Sequence, residues 1–500
     1  MTNRTHLSEI VKAYDVRGLV GSQFDAATAW ALGAAFAEEV ATPPAGATPP
    51  AGATPPAGAG PVTRIAVGYD MRPSSPELSG AFSRGAASRG LDVVVIGLCS
   101  TDGLYYASGS LDCPGAMFTA SHNPAAYNGI KMCRAGARPI GQDTGLARIR
   151  DRAQELLDTK AEQDEVPPAT TPGTIRTEDL LRGYAEHLRG LVDLTGVRPL
   201  KLVVDAGNGM GGLTTPAVLG TAAGLPALPL EVVPLYFELD GTFPNHEANP
   251  LEPANLRDLQ AAVVAAGADL GLAFDGDADR CFVIDERGEP VNPSAVTALV
   301  ARREIAKETA AGRPAKVIHN LISSRAVAEV IAESGGTAVR TRVGHSFIKA
   351  TMAEHSAVFG GEHSAHYYFR DFWFADTGML AALHVLAALG HQELPLSQLA
   401  GEFQRYVSSG EINSRVTDVA AATARVEAAF AGRPGVETDR MDGLSVVHAG
   451  TAGTAGRDGM WWFNLRPSNT EPLLRLNAEA HDEPTMAALR DEVLELVRQA

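Results

Sequence analysis

Three aspartates occur at alternate positions in the stretch DGDADR, directly after the apolar run LGLAF. Carboxylates spaced in this way can face one cation, and a donor set made only of oxygens suits Mg²⁺ or Ca²⁺ better than zinc. Mg²⁺ takes few protein ligands and usually keeps a phosphate oxygen. Asp275, Asp277 and Asp279 therefore predict a single Mg²⁺ site that acts on a phosphate, and Arg280 beside them can pair with the phosphoryl group.

The aspartates allow two other interpretations. The spacing is similar to the start of a calcium-binding helix-loop-helix loop, but that loop requires glycine at its sixth position, where this chain has Arg280. The aspartates could also simply cap backbone amides in a turn. The calcium loop is disfavoured because an apolar strand, CFVID, follows at once.

A serine lies between small residues in TASHNPAAYNGIK, residues 119–131. Proline at position 124 restricts the turn after Ser121, and His122 and Lys131 offer an imidazole and an ammonium nearby. A serine hydroxyl is a weak nucleophile unless a base or a charge activates it. A phosphoserine here could supply the phosphate oxygen that a Mg²⁺ site needs, whereas the alternative is an ordinary turn serine.

Two further stretches offer groups for phosphate and for sugar. In RPSNTEP, Arg466 can grip a phosphate with two hydrogen bonds, and the turn that follows adds side-chain and backbone donors. In GGEHSAHYYF, Glu362 and Ser364 are the expected contacts to sugar hydroxyls. Zinc bound through Glu362, His363 and His366 is the alternative, although the spacing is not that of a helix-borne HExxH motif.

The composition narrows the class of protein. A chain of 500 residues is too long for one core, and its formal net charge of -17 argues against nucleic acid or an anionic membrane as the main partner. The start lacks the apolar run of a signal peptide, and no stretch is apolar enough to span a membrane. None of the four cysteines is in a CxxC pair, which favours reduced thiols and a cytoplasmic protein.

The elements that must position these residues alternate between short apolar strands and amphipathic helices. This alternation predicts α/β sheets that are mostly parallel, and such sheets bind ligands beyond the carboxyl ends of their strands. The predicted strands are RIAVGYD, DVVVIG, KLVVDAGNG, LGLAFDGDADR, AKVIHN and TAVRTRVG. The last hundred residues instead indicate a smaller α+β domain that ends in a helix.

Composition also predicts the domain boundaries. Three tandem ATPPAG repeats form a Pro/Gly-rich insertion at 41–60, interpreted as an exposed loop, with a proline-rich ligand for a partner as the alternative. A proline-rich break at 164–174 separates the first two domains. The predicted domains are a phosphoserine domain at 1–163, a metal-binding domain at 175–286, a sugar-recognition domain at 287–393 and a phosphate-binding domain at 394–500.

Together, the four stretches resemble the α-D-phosphohexomutase family, in its phosphomannomutase/phosphoglucomutase branch. TASHNP is similar to the family's phosphoserine loop, DGDADR to its metal loop, GEHSAH to its sugar-recognition loop and RPSNTEP to its phosphate-binding loop, in the family's order. The resemblance covers almost the whole chain. It implies a heart-shaped α/β molecule with three related mixed α/β domains and a C-terminal α+β lid domain around a central cleft.

The resemblance also implies a role for each group of residues. One Mg²⁺ ion would be bound by the phosphate of Ser121 and by Asp275, Asp277 and Asp279. The residues that serve the reaction would be Ser121, His122, Lys131, Arg17 and Arg280. The substrate contacts would be Tyr14, His345, Glu362, Ser364 and His366. The phosphate that does not react would be held by Arg466, Ser468, Asn469 and Thr470.

The implied activity is the interconversion of hexose 1-phosphates and hexose 6-phosphates, with mannose expected and glucose a further substrate. Hexose 1,6-bisphosphate would be the intermediate and activator, and phosphosugars the only partners of a monomer or homodimer. The alternatives are a phosphoglucosamine mutase, a sugar-phosphate phosphatase and a non-catalytic phosphosugar sensor. The sensor ranks last because Ser121, the aspartates and Arg466 are all present.

The chain departs from the family pattern in three places. Ala365 stands where many relatives have glycine, and His363 stands where methionine is frequent. Leu321 and Ile322 lie in a region that often carries a lysine, so one family ligand has no counterpart in the sequence.

Overall fold

The computed structural model describes residues 6–41, 61–159, 171–450, 459–467 and 473–499, without the side chains of positions 345 and 346. The insertion beyond residue 41 lies outside the described residues. The chain forms two compact units, one of residues 1–291 and 364–397 and the other of residues 292–363 and 398–500. No helix within the described ranges is long and apolar enough to cross a membrane.

The first unit holds two sheets and a short hairpin. Its strands are β1 Asp15–Leu19, β2 Arg64–Tyr69, β3 Asp92–Leu98, β4 Gly115–Phe118, β5 Tyr127–Arg134, β6 Arg138–Pro139, β7 Ile175–Thr177, β8 Leu200–Asp205, β9 Leu230–Leu235, β10 Leu270–Phe274, β11 Cys281–Asp285, β12 Pro290–Val291, and, after the second unit's first segment, β16 Tyr367–Phe369 and β17 Ala375–Asp376. Its helices are α1 Ala26–Ala41, α2 Ser75–Ala87, α3 Thr101–Ser110, α4 Leu146–Asp158, α5 Leu181–Leu191, α6 Gly211–Val218, α7 Arg257–Ala266 and α11 Gly378–Gly390.

The second unit combines two segments of the chain. Its strands are β13 Lys316–Asn320, β14 Thr337–Thr341, β15 Phe359–Gly361, β18 Val407–Arg415, β19 Val436–Asp439, β20 Leu444–His448, β21 Trp461–Pro467 and β22 Leu473–Ala480. Its helices are α8 Pro293–Ala310, α9 Arg325–Glu333, α10 His345–His355, α13 Val419–Phe430 and α14 Glu483–Arg498, while α12 Leu396–Gly401 spans the change of unit. Single 3-10 turns occur at Leu7–Glu9, Gln142–Thr144, Pro253–Leu256 and Arg370–Phe372.

One strand pattern occurs three times. A central strand pairs in parallel with the two strands that follow it: β2 with β3 and β4, β8 with β9 and β10, and β13 with β14 and β15. Antiparallel strands extend the first two sheets, as β4–β5–β1 and β10–β11–β12. The C-terminal sheet is antiparallel throughout, in the order β18-β22-β21-β20-β19. The predicted class, three mixed α/β domains followed by an α+β domain, is confirmed.

The repeated pattern decides where the predicted loops lie. The serine loop follows β4, the aspartate loop follows β10 and the sugar loop follows β15, which are equivalent strands of the three sheets. Each loop therefore leaves the carboxyl end of a strand, as the sequence predicts. In the second sheet, β8 and β10 are buried runs of apolar residues, so their strand ends are firmly held.

Two segments associate with parts of the chain beyond the predicted domain boundaries. β7, at the predicted start of the second domain, pairs in parallel with β3 of the first sheet. Residues 364–397, most of them in the predicted third domain, group with the first compact unit. The predicted boundaries themselves stay a prediction.

Leu321 and Ile322 form an apolar cluster with Met460 and Trp462 inside the second unit. Both side chains are buried. Close by in the sequence, the backbone N–H of Arg325 donates to Glu479 Oε2 at 3.0 Å. Leu321 and Ile322, where the sequence analysis expected a family lysine, thus serve packing in this chain.

Candidate active site

Ser121 has a buried and conformationally unusual position. Its φ of 49° lies in the left-handed region, which costs a residue other than glycine about 1–3 kcal/mol. Its N–H donates to Thr119 Oγ1 at 2.8 Å, and its hydroxyl donates to Asp275 Oδ2 at 2.8 Å. The surrounding hydrogen bonds therefore hold the hydroxyl against the aspartate loop despite the backbone strain.

Arg72 fixes the loop that carries this serine, and the sequence analysis missed it. The guanidinium is fully buried, and its two terminal nitrogens donate to four backbone carbonyl oxygens. These carbonyls belong to Ser121 at 2.9 Å, Asn123 at 2.7 Å, Pro124 at 2.9 Å and Tyr127 at 3.0 Å. A usable signal existed, since the arginine and Asp70 directly follow β2 at a carboxyl strand end.

Glycine at position 276 lets the aspartate loop approach the serine loop closely. A Cβ atom at this position would lie 2.4 Å from the carbonyl oxygen of Ser121, well inside contact distance. The two loops can therefore pack backbone against backbone only with glycine here.

The three aspartates form one buried cluster. Asp275, Asp277 and Asp279 each offer a carboxylate oxygen, and these oxygens all lie within 4.8 Å of one another. Lys131 Nζ donates to Asp277 Oδ2 at 2.7 Å and to Asp279 Oδ2 at 2.5 Å. The Oδ1 atoms of Asp277 and Asp279 are buried and accept no hydrogen bond from the described residues.

This donor set fits Mg²⁺. Buried carboxylate oxygens without hydrogen bonds are costly unless a cation pairs with them. The donors are oxygens only, which a hard cation prefers. Asp275, Asp277 and Asp279 therefore form a suitable Mg²⁺ site, as the sequence predicts.

Burial and close pairing shift the pKa values in this cluster. Burial raises the pKa of Asp275 to about 6, although Arg280 opposes the shift. Burial would also raise the pKa of Asp277, but Lys131 outweighs it and holds the pKa well below its usual range. Desolvation would lower the pKa of Lys131, yet Asp277 and Asp279 raise it above its ordinary value. The Lys131 ammonium is thus charged in the site.

His122 and Arg280 are held together beside the serine. Arg280 donates from Nε to Asp275 Oδ2 at 2.9 Å and from a terminal nitrogen to His122 Nδ1 at 2.6 Å. The same Nδ1 lies 3.2 Å from Ser121 Oγ. Burial, followed by Arg280 and Arg17, lowers the pKa of His122 to about 2. The imidazole is therefore neutral and presents Nδ1 as an acceptor.

Arg17 reaches the same loop from β1. Its Nε donates to Asp15 Oδ2 at 2.7 Å, and a terminal nitrogen donates to Asn123 Oδ1. Tyr14, which precedes β1, is 38% exposed. The structure thus brings Ser121, His122, Lys131, Arg17, Arg280 and the aspartates together.

The sugar-recognition loop changes compact unit between residues 363 and 364. In the second unit, Asn320 Nδ2 lies 3.4 Å from Glu362 Oε2 and 3.1 Å from His363 Nδ1. In the first unit, Ser364 Oγ lies 3.1 Å from His366 Nδ1, and His366 Nε2 lies 3.7 Å from Asp279 Oδ1. His366 therefore lies beside the aspartate cluster.

The backbone at position 365 adopts a conformation that favours glycine. Ala365 has a φ of 64° and is fully buried. This left-handed conformation favours glycine, so alanine is tolerated at the cost of some strain.

Arg466 lies on β21 in the second unit, directly opposite Arg475 of β22. One carboxylate serves both, because Glu411 Oε2 accepts from Arg466 at 2.8 Å and Glu411 Oε1 from Arg475 at 2.9 Å. The Nε atoms of both arginines are buried without a hydrogen-bond partner among the described residues. Sequence reasoning missed Arg475 and Glu411, which lie on other strands than the RPSNTEP motif.

Some predicted residues cannot be placed. Ser468, Asn469 and Thr470 lie outside the described residues. His345 begins α10, but its side chain is not described.

The segments that carry these four motifs match models of one protein family. Models of the phosphoglucomutase/phosphomannomutase family match as alpha/beta/alpha domain I at residues 8–159, domain II at 182–288 and domain III at 292–406, and as the C-terminal domain at 411–496. The chain therefore belongs to the phosphoglucomutase/phosphomannomutase family.

Individual relatives agree with this assignment. A phosphomannomutase of Salmonella montevideo is 39% identical, covering 97% of this chain and 98% of the relative. The phosphohexose mutases of Xanthomonas campestris pv. campestris are 38% identical with the same coverage. A crystal structure of a phosphoglucomutase/phosphomannomutase family protein from Burkholderia thailandensis superposes with a TM-score of 0.80 at 30% identity, covering 98% of this chain and 97% of that one. The protein is thus a phosphohexomutase, an enzyme that moves a phosphoryl group within its substrate. The family depends on Mg²⁺, and the acidic triad can bind it.

Proposed function

We propose that this enzyme interconverts mannose 1-phosphate and mannose 6-phosphate, and also the glucose phosphates, through a phosphorylated Ser121 and a hexose 1,6-bisphosphate. The mannose preference is supported by the relatives named phosphomannomutase, which are 37–39% identical over nearly the whole chain. Mannose and glucose differ only in the orientation of one hydroxyl, so use of both requires no special device.

One observation carries the proposal. The hydroxyl of Ser121 bonds to Asp275 at 2.8 Å, in a site that holds a charged lysine and two buried arginines beside three aspartates. An ordinary turn serine does not need this arrangement. A phosphoryl group on Oγ would find compensating positive charge and a cation site at once.

In the first half of the reaction, the bond between phosphorus and Ser121 Oγ breaks while a bond forms to the free hydroxyl of the hexose monophosphate. The hydroxyl loses its proton and Ser121 regains one. Lys131 and Arg280 balance the charge on the phosphoryl oxygens, and Mg²⁺, when bound, spreads that charge further. The product of this half is a hexose 1,6-bisphosphate.

In the second half, the bisphosphate has reoriented and Ser121 Oγ attacks the opposite phosphate. The acceptor within reach of the proton that leaves this hydroxyl is Asp275 Oδ2 at 2.8 Å, and burial raises the pKa of this carboxyl to about 6. His122 Nδ1 lies 3.2 Å from Ser121 Oγ, but it already accepts from Arg280 and its lowered pKa makes it too weak a base, so His122 serves to position the hydroxyl.

The second phosphate requires a site that holds without reacting. Arg466 is proposed for this role with Ser468, Asn469 and Thr470. Its neighbour Arg475 is added because the two guanidiniums share Glu411. Two arginines against one carboxylate leave net positive charge for a dianionic phosphate.

A phosphorus NMR time course tests the proposal. The enzyme with Mg²⁺ and a trace of hexose 1,6-bisphosphate is incubated with mannose 1-phosphate in one tube and glucose 1-phosphate in another. We expect the 6-phosphate signal to grow in both tubes, faster with mannose.

Other outcomes separate the alternatives. Growth of free phosphate alone would identify a phosphatase. No change in either tube, but conversion of glucosamine 1-phosphate in a third, would identify a phosphoglucosamine mutase. No conversion by folded, phosphorylated enzyme in any tube would contradict the proposed function.

A further inference from the structure

A residue outside the predicted motifs grips the middle aspartate of the metal loop. Thr101, the first residue of α3, donates from Oγ1 to Asp277 Oδ2 at 2.6 Å and from its backbone N–H to the Asp277 carbonyl oxygen at 3.0 Å. Thr101 is fully buried. Side chain and backbone of one residue thus fix both the carboxylate and the main chain of Asp277.

The two oxygens of this carboxylate consequently have different surroundings. Oδ2 accepts from Thr101 and from Lys131, at 2.6 and 2.7 Å. Oδ1 is buried and accepts no hydrogen bond within the described part of the chain. A buried carboxylate oxygen without a donor needs a cation. The hydrogen bond from Thr101 therefore decides which oxygen is left for the metal.

Thr101 is itself held rigidly. The next residue, Asp102, is fully buried and accepts from Tyr184 Oη at 2.8 Å, from Thr377 Oγ1 at 2.6 Å and from Ser100 Oγ. These donors come from α5, from the residue before α11 and from the residue before α3. The start of α3 is thus tied to two other helices, so Thr101 cannot easily follow a shift of the metal loop.

We propose that Thr101 is a positioning residue for the metal: it occupies Asp277 Oδ2 and so presents Oδ1 to the cation in one fixed orientation. Lys131 alone is a weaker guide, because it is shared with Asp279. The inference rests on the metal site of the proposed function, but not on the sugar or the phosphoserine. Groups that orient metal ligands typically change metal affinity about ten- to a hundredfold when they are removed.

The test measures metal binding without any sugar phosphate. Mn²⁺ is titrated into the metal-free protein and the free ion is followed by electron paramagnetic resonance, with Mg²⁺ competition giving the Mg²⁺ dissociation constant. Thr101→Val keeps the shape and removes the hydroxyl, and Thr101→Ser keeps the hydroxyl. Thr215→Val is the matched control, since Thr215 is fully buried and its hydroxyl has no hydrogen-bond partner within the described residues.

We expect Thr101→Val to raise the dissociation constant of the metal about ten- to a hundredfold. Thr101→Ser should keep it near the wild-type value, and Thr215→Val should leave it unchanged. A second readout is the Mg²⁺ concentration for half-maximal activity, which should rise in Thr101→Val while kcat at saturating Mg²⁺ recovers. Should Thr101→Val fail to fold, Thr101→Ala replaces it, with circular dichroism as the check.

Metal affinity in a folded variant without the hydroxyl that stays within about twofold of the wild type would overturn the inference. Weakened metal binding in a protein that isomerises no hexose phosphate would support Thr101 while sinking the proposed function. Isomerisation by the wild type together with unchanged metal binding in the variant would support the proposed function and overturn the inference about Thr101.

Discussion

The serine and aspartate site of the first unit and the arginine pair of the second both handle phosphate in the proposed function, but they differ in burial. Asp275, Asp277, Asp279 and Arg280 are at most 2% exposed. Around Arg466, the side chains are 12% exposed for Arg466, 24% for Glu411 and 33% for Arg475. Buried charges that lose a partner cost far more than charges near water.

The difference in burial predicts different kinetic roles for the two sites. A buried site whose side chains hydrogen-bond to one another is organised before substrate arrives, so its residues should affect kcat. A partly exposed pair can exchange Glu411 or water for an incoming phosphate, so its residues should affect KM.

The largest effect is expected at the nucleophile. Ser121→Ala removes the proposed phosphoryl carrier and should lower isomerisation by more than about a thousandfold. Binding of glucose 1-phosphate, measured by calorimetry, should persist because the holding site is intact. Ser110→Ala, an exposed serine of the same domain, is the control. Normal turnover by the Ser121→Ala variant would contradict the mechanism.

The second effect concerns the support of the serine loop. One ammonium cannot serve the four carbonyls that Arg72 binds, so Arg72→Lys should shift the loop and lower kcat about a hundredfold with little change in KM. Arg64→Lys is the control, because Arg64 donates to the single carbonyl of Leu111. Wild-type kcat in folded Arg72→Lys would show that the loop needs no such support.

A smaller effect is expected at the arginine pair. Arg466→Ala and Arg475→Ala each remove a charge-assisted contact worth about 1.5–3 kcal/mol. The KM for mannose 1-phosphate should therefore rise about tenfold or more. Phosphorylation of Ser121 should still occur in both variants. Arg490→Ala serves as control, because the Arg490 side chain is 31% exposed and pairs with Asp491. Steady-state kinetics measure this KM, and an unchanged KM in both variants would contradict the proposed phosphate-holding site.

The smallest effect is expected at His246, in the segment between β9 and α7. His246 lies with Nε2 3.0 Å from Asp205 Oδ2 and Nδ1 2.9 Å from the Glu247 carbonyl oxygen. Both partners only accept, so the ring binds both as imidazolium. Burial lowers the pKa of His246, but the bonds to Asp205 and Glu247 outweigh it and raise the pKa above its ordinary value.

The sign of the pH effect follows from this raised pKa. The stabilisation is fully present below the unfolded pKa of about 6.5 and is lost as pH rises through the folded pKa. His246→Gln should therefore lower the melting temperature by about 2 °C at pH 5.5 and by less at pH 9. A difference that does not shrink with pH would show that the histidine is neutral in the folded protein.

The sequence was informative wherever chemistry and strand ends coincide. Apolar runs predict β2, β3, β8, β10, β13 and β14, and the aspartates directly after β10 mark the metal loop. The serine and sugar loops follow β4 and β15, which are not among the predicted strands, so these two loops were found from their motifs. The sequence did not predict the roles of Arg72 and Thr101. Their partners are a carbonyl and a carboxylate on distant segments, and sequence spacing does not report such contacts. Arg475 escaped because the register of β21 and β22 places it opposite Arg466. The sequence marks Ala365 only as a departure from the family pattern, and its left-handed backbone conformation is seen only in the structure.

The apolar cluster of Leu321, Ile322, Met460 and Trp462 has a consequence for unfolding. The cluster packs residues of the segment 292–363 against residues of the C-terminal sheet. The hydrogen bond from the backbone N–H of Arg325 to the Glu479 carboxylate connects the same two parts of the chain. Segments that share a core lose it together, so they behave as one cooperative block. In a calorimetric scan, residues 292–363 and 398–500 should melt in a single transition, and Leu321→Ser should split or broaden it.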